Sequence, residues 1–383
     1  MYLNAINNDN LITVMPNFLI KGSVCFLSLD MGYGGAEKVI STLANELVRS
    51  GREVTILTLF DQNDFRQALD TRIKLHSLSI KNFKISFFSL CKFIYKNRFD
   101  NFIANIWPLT VFSFLIRIIS PRANLIYVEH CILSEQYKDK NFLFRVLQNF
   151  SIRVFYRFAH HIVSVSYGVQ DDLIGYGAPS DKMSVIYNPL MPSLANSQGT
   201  LNPKILSWMK DSPINLVAIG QLIKAKNFLN LIKSVDILVN HNKQKLRLVI
   251  LGDGEERAAL EESIKSHKLE NSIFLPGWVD DPIPYLHLSD LLILSSDYEG
   301  FGLVILEALS VGVNVVSTNC KTGPNEILKD GEFGFLCTVG DASALASSVN
   351  IALKNPLPKE RLMSRASDFL PDKITQQYEK ILI

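Results

Sequence analysis

The sequence is poor in the features that mark several protein classes. Five cysteines, Cys25, Cys91, Cys131, Cys320 and Cys337, are scattered along 383 residues with no CxxC pair. That pattern excludes a disulfide framework or a zinc site and points to a reducing compartment. Long apolar runs are missing too. The most hydrophobic window, VFSFLIRIIS at 111–120, contains Arg117 and is well short of the roughly twenty residues a membrane span needs. The opening MYLNAINNDNLITVMPNFLIKG has no basic stretch before its apolar residues and no small-residue cleavage site, so no signal peptide is expected. The expectation is a cytoplasmic protein whose membrane contact, if any, is peripheral. A formal net charge of +2 is too small to suggest nucleic acid as a partner.

What is present is unevenly spread. Residues 1–190 hold 20 Lys and Arg against 15 Asp and Glu, whereas the remainder holds 19 against 22. The first half also carries 17 of the 23 phenylalanines, so it is the half suited to something both apolar and anionic, or to a richer core. A chain of this length exceeds one hydrophobic core, and two domains are expected.

Short β-type runs alternate with helical patterns, the signature of α/β architecture with parallel sheets. Strands are expected at 23–29, 53–59, 100–106, 124–130 and 161–166, then at 214–220, 246–252, 272–277, 291–296 and 313–319. About five per half implies two similar sheets. The Pro-, Asn- and Ser-rich stretch around 188–213 reads as a linker. The organisation is therefore an N-terminal domain over 1–190, a linker over 191–213, a C-terminal domain over 214–365 and a terminal helix over 366–383 that could pack back on the first domain. Open parallel sheets bind ligands at the carboxyl ends of their strands, so two facing sheets place a site in the cleft between them.

Two glycine-bearing loops fall at such ends. DMGYGGAEKV (30–39) follows the first strand and opens a helix, where Gly34 and Gly35 allow close backbone approach and the helix start favours negative charge. A nicotinamide dehydrogenase would need a third glycine where Glu37 stands. A purely structural turn is the other reading. In DYEGFGLVILEALSVG (297–312), Glu299 lies above a strand end, Gly300, Phe301 and Gly302 lead into a helix, and Glu307 is the sole charge within that apolar helix. A buried carboxylate is costly unless paired or hydrogen-bonded; a ligand diol, a backbone amide or a lysine would each serve.

The spacing of Glu299 and Glu307 resembles the E-x7-E motif of retaining glycosyltransferases of family 4, which have the GT-B fold of two facing Rossmann-like domains. GGAEKV (34–39), IYNPL (186–190), LGDGEER (251–257), PGWVDD (276–281) and TGPNEIL (322–328) resemble family segments in the same order. The resemblance implies a hexosyltransferase that moves a sugar from a nucleotide diphosphate, UDP in the first instance, to a glycan acceptor with retention. By the same resemblance Glu299 would hold sugar hydroxyls, Glu307 the ribose, and Phe301 and Gly302, with Leu303 beside them, would line the donor site with backbone N–H groups. Lys226 would grip the diphosphate. One departure stands out: GQLIKAK places Gln221 where the family has arginine, so only a neutral amide is offered there. Lys224 is nearby. His130 at a strand end matches a family histidine near the reacting sugar. Ser166 and the Gly34–Gly35 loop fall on the acceptor side, and Glu326 would either touch the sugar or cap the helix that follows. Glu299, Lys226 and His130 are thus the catalytic candidates. The fold needs no metal motif, and no cofactor is expected.

The acceptor is read from the basic, aromatic half. Phe142, Val146, Phe150, Val154 and Phe158 recur every four residues beside Arg145, Arg153 and Arg157, and residues 81–98 mix Lys81, Lys84, Lys92, Lys96 and Arg98 with aromatics. Such helices either lie in an anionic membrane interface or turn their apolar stripe to the core. The first reading suits a lipid-linked acceptor at the cytoplasmic face of the inner membrane, and the family resemblance implies a polyprenyl diphosphate carrier, as in surface-polysaccharide assembly. A nucleotide-sugar 2-epimerase and a non-catalytic nucleotide-sugar-binding scaffold of the same fold are the rival readings.

Overall fold

The computed structural model describes residues 21–383 apart from 33, 63–65, 67, 80–82, 192–201, 211 and 321, and the side chains of 83–87 are also outside the described set. The opening segment read for a signal peptide, Lys81, the Lys84 side chain and much of the linker therefore lie outside it.

Among the described residues the first sheet has seven parallel strands: β1 (Lys21–Ser28), β2 (Arg52–Thr58), β3 (Lys74–Ser77), β4 (Asn101–Asn105), β5 (Asn124–Glu129), β6 (His161–Ser164) and β7 (Met183–Val185), in the order β3-β2-β1-β4-β5-β6-β7. The second has six: β8 (Asn215–Ile219), β9 (Arg247–Leu251), β10 (Ile273–Gly277), β11 (Leu291–Leu294), β12 (Asn314–Thr318) and β13 (Phe335–Cys337), in the order β10-β9-β8-β11-β12-β13. Helices cover both faces of each sheet. The central strands are therefore buried throughout and read as continuous apolar runs. The count of five per half falls short because β3, β7 and β13 are missing from it. Each is an edge strand of three or four residues, paired on one side and too short for a period to show.

The helices that frame the site are α1 (Gly35–Arg49), α2 (Phe83–Lys96), α3 (Phe114–Ile119), α4 (Phe142–Phe155), α5 (Tyr167–Gly175), α6 (Pro203–Lys210), α7 (Leu303–Ser310), α8 (Pro324–Ile327), α9 (Lys359–Ala366) and α10 (Pro371–Glu379). The residues read as linker thus include α6, whose Ile205 and Met209, one turn apart, are buried. Trp208 stacks under the Arg247 guanidinium of the second domain, 4.6 Å away. The second domain begins at this helix rather than at residue 214, since a single helical turn of apolar spacing is enough to dock it.

The chain crosses between domains twice, near residue 190 and near residue 370. The crossings touch: Leu190 N donates to Phe369 O at 2.7 Å. Tyr187 stacks on Phe301 at 5.5 Å and lies 5.6 Å from Phe369, so an apolar knot of three rings sits at the crossing. Beyond it, Pro371 opens α10, which returns to the first domain. There Glu379 accepts from Arg52 Nη2 at 2.7 Å, Ser50 Oγ at 2.8 Å and Lys21 Nζ at 3.1 Å.

Strand order reverses between β1 and β4 and between β8 and β11, and ligands of open sheets gather at such switch points. The ends of those strands and the loops leaving them carry Gly34 and Gly35, Asn105, Gln221 and Lys226, and Glu299. They face one another.

Candidate active site

The second domain builds its part from the end of β11. A short turn, Lys224–Lys226, is pinned there by backbone and side-chain bonds: Asp297 N donates to Ala225 O at 2.8 Å, Ser295 Oγ to Lys226 O at 2.8 Å, and Asn227 Nδ2 to Asp297 Oδ1 at 2.7 Å. Lys226 Nζ is thereby delivered to Glu299 Oε1 at 2.6 Å, where Ser296 Oγ donates as well, also at 2.6 Å. Neither bond takes Oε2. Thr322 Oγ1 donates to the Glu299 carbonyl and fixes its backbone. Glu299 is buried, and its carboxylate is held by a charge and a hydroxyl rather than left to solvent.

Gly302 then caps α7 in the left-handed region at φ 97, a conformation that costs a Cβ-bearing residue energy and that glycine takes freely. The free N–H groups of this helix start point out of the loop. Phe301 contributes backbone only; its ring is committed to the interdomain knot. One turn further, Glu307 is buried, burial pushes its carboxyl up, and Oε2 has no hydrogen-bond partner among the described residues. Gln221 is exposed and makes no side-chain hydrogen bond to a described residue, and Lys224 is exposed beside it. Neither is brought against Glu299 here.

The first domain meets this loop edge-on. Gly300 packs so close to the His130 carbonyl that a Cβ would overlap it, and Ser166 Oγ donates to Gly300 O at 2.8 Å while accepting from Val169 N at 3.3 Å. Gly35, at the start of α1, lies against Leu303, so the amino ends of α1 and α7 share the cleft. Glu37, in the first turn of α1, is held near 7 chiefly by burial, with Asp30 adding to the effect.

His130 follows β5 and is buried. Its Nε2 lies 3.2 Å from Asn105 Oδ1. Asn105 Nδ2 donates to Leu27 O and Ile103 O, both at 3.2 Å, which leaves Oδ1 as an acceptor and assigns the imidazole proton to Nε2. Nδ1 then carries the lone pair and has no partner among the described residues. Burial lowers the His130 pKa to about 4, so the ring is neutral and able to accept a hydroxyl proton in a hydrogen bond. The adjacent Glu129 points the other way, accepting from Trp107 N, Thr110 Oγ1 and Tyr156 Oη.

Glu326 does not cap the helix that follows it. Its carboxylate accepts from Tyr167 N at 3.0 Å and Gly168 N at 3.4 Å, capping α5 of the other domain, where a carboxylate suits the free N–H groups. The two readings offered by the sequence both missed this, because the partner helix is about 160 residues away. Asn105, Ser296, Thr322 and the ring knot were missed also. Of these, Thr322 opens TGPNEIL, and Tyr187 and Phe301 of the knot lie in IYNPL and DYEGFGLVILEALSVG, but nothing in those stretches shows what each side chain meets.

These features coincide with known families. A family model described as Glycosyltransferase Family 4 matches residues 33–193, and one described as Glycosyl transferases group 1 matches residues 204–368. The chain is a glycosyltransferase of family 4. Solved structures place it in the GT-B fold. The Anabaena protein HepE, in complex with UDP and glucose, matches with a TM-score of 0.75 at 21% identity over 94% of this chain and 98% of that one. Sucrose-phosphate synthase of Thermosynechococcus elongatus gives a TM-score of 0.78 at 16% identity, over 94% and 98%. By sequence, the Campylobacter jejuni N-acetylgalactosamine-N,N'-diacetylbacillosaminyl-diphospho-undecaprenol 4-alpha-N-acetylgalactosaminyltransferase is 26% identical over 92% of this chain and 97% of that one. The amylovoran biosynthesis glycosyltransferase AmsD of Erwinia amylovora is 24% identical over 91% and 96%. Membership in this glycosyltransferase family makes the chain a hexosyltransferase and removes the dehydrogenase reading.

Proposed function

We propose that this family 4 glycosyltransferase transfers a hexose or N-acetylhexosamine from a UDP-sugar, with retention, to a glycan acceptor carried on a polyprenyl diphosphate. The observation that carries the donor side is the Lys226–Glu299–Ser296 group beside the Gly302 helix start, with the unpartnered Glu307 oxygen one turn away. Glu299 Oε2 orients sugar hydroxyls, and Glu307 takes the ribose. As the bond from the anomeric carbon to the phosphate oxygen breaks, negative charge grows on the departing diphosphate. Lys226 and the helix N–H groups meet it, the kind of preorganised stabilisation that usually contributes most. The acceptor oxygen bonds to the anomeric carbon on the same face, and its proton leaves with the phosphate oxygen, so no carboxylate base is needed. His130 Nδ1 holds a hydroxyl of the sugar or acceptor in place. Gln221 and Lys224 lie on exposed loop and reach the donor only once it binds. With these groups carrying the charge, turnover is metal-independent and unchanged by EDTA.

The lipid-linked acceptor is supported by the surface of the first domain. Phe142 is 82% exposed and Phe150 59%, with Leu143, Val146 and Leu147 exposed between them, on the side of α4 away from its buried Gln148 and Ile152. A groove of about 630 Å³ continues the face, lined by Phe150, Arg153, Val154, Arg157 and Phe158. Phe88 and Tyr95 of α2, with Lys92 and Lys96, and Ile118 of α3 are exposed as well. An apolar stripe turned to solvent and edged by arginine suits an anionic lipid interface. This surface supports reading the enzyme as one that works at the cytoplasmic face of the inner membrane. The diphospho-undecaprenol in the name of the Campylobacter jejuni relative supports the same reading.

The test is nucleotide release from a panel of UDP- and GDP-sugars, with and without lipid-diphosphate acceptor, comparing wild type with Glu299→Ala. Acceptor-dependent release from one UDP-sugar, lost in the variant, is expected. Epimer formation without acceptor would favour the 2-epimerase, and neither turnover nor binding would favour the scaffold.

A further inference from the structure

Lys38 has no part in the site as described so far. It belongs to the first domain, one turn into α1, and its side chain crosses to the second domain, where Nζ stands 3.8 Å from Glu307 Oε1. The lysine side chain is 24% exposed and that of Glu307 6%. At this separation the ammonium acts by charge rather than by a hydrogen bond. A carboxylate removed from water needs its charge balanced and its oxygens satisfied. Lys38 meets the first need, and the orphaned Oε2 shows that the second is unmet. The other charged group acting on Glu307 is Asp281, ahead of the Ile283–Leu286 helix, which opposes ionisation. The charged groups of α8 and α9 nearby are engaged elsewhere: Glu326 caps α5, and Arg365 binds Ile327 O and Asp368. Among the described residues Lys38 is thus the cation that faces Glu307, and it comes from the opposite wall of the cleft.

We propose that Lys38 is a positioning residue: it keeps Glu307 ionised and turned so that Oε2 accepts from the vicinal diol of the donor nucleotide, which completes the nucleoside pocket only when the two domains are together. The inference rests on the donor reading above. It adds that ribose recognition in this enzyme is shared between domains, so that nucleotide binding and closure are one equilibrium.

Calorimetric titration of UDP and 2′-deoxyUDP into wild type, K38M, K38R and E307Q tests it. In wild type, loss of the hydroxyl bonded to a charged acceptor should weaken binding about tenfold or more. K38M should weaken UDP by a similar factor and reduce the deoxy penalty below about threefold, as should E307Q, whereas K38R should retain most of both. The acid limb of UDP affinity should also move to higher pH in K38M, because Glu307 loses the charge that opposes its protonation. An unchanged deoxy penalty in K38M, whether UDP affinity is kept or falls uniformly, overturns the proposal while leaving the donor reading intact. Failure of wild type to bind UDP overturns the donor reading itself.

Discussion

Replacing Lys226 with methionine keeps the stem that lies along Gly220 and removes only the ammonium. Lys226 is pinned through three bonds to the β11 end and is mostly shielded, with its side chain 20% exposed. A unit charge about 4 Å from a developing phosphate charge is worth about 4 kcal/mol at an effective dielectric near 20. The α7 helix start, which remains, and solvent entering the cleft reduce this to about 3 kcal/mol, and kcat should fall on the order of 100-fold. The same change leaves Glu299 with Ser296 alone, a loss of roughly 1–3 kcal/mol in stability that a thermal melt reads separately. The double variant K226M/E299Q removes the stranded charge and should recover most of that stability without recovering turnover. Steady-state release of nucleotide at saturating donor is the assay. If folded K226M kept more than a third of wild-type kcat, the charge assigned to the leaving group would not be there.

Three further outcomes follow from the geometry. Gln221→Arg adds a forked cation on an exposed loop at the mouth of the site, and donor KM should drop about tenfold; an unchanged KM in a folded variant would mean that the loop does not reach the diphosphate. His130 has its pKa lowered to about 4 from 6.5 by burial, so between those values the unfolded chain binds a proton that the folded one does not. His130 therefore costs stability as pH falls below about 6.5, on the order of 3 kcal/mol by pH 4, and His130→Asn should remove that slope from melts recorded against pH. Glu129, held near 7 mainly by burial, contributes the opposite slope to both proteins and drops out of the difference. On α4, the pair Leu147→Glu and Phe150→Glu should reduce co-sedimentation with phosphatidylglycerol-containing vesicles at least 100-fold, since each side chain buries about 2 kcal/mol of apolar surface, while turnover of a water-soluble acceptor is retained; undiminished vesicle binding would refute the interfacial role of this face.

The α/β class, the two sheets, the positions of Glu299, Lys226 and His130 at strand ends and that of Glu307 inside the helix after one of them could all be read from one dimension. Central parallel strands are apolar on both faces, and the turns after them are glycine-marked, so period and punctuation suffice. The edge strands β3, β7 and β13 could not be read that way, because three or four residues carry no period, and the eight residues of α6 were hidden by the Pro-, Asn- and Ser-rich stretch around them. Whether the Phe142–Phe158 stripe faced solvent or core was likewise open: spacing defines a face, and only the packing of Gln148 and Ile152 against the sheet shows which way it turns.

The partners of the charged groups were decided by tertiary structure alone. Glu326 caps a helix in the other domain, Lys38 faces Glu307 across the cleft, and Gly300 has no room for a side chain because the His130 carbonyl lies against it. Sequence sets which residues stand at the ends of strands, because burial and backbone geometry act locally. Which of those ends face each other depends on how two sheets meet, and the contacts that hold them join residues about 110 to 270 positions apart.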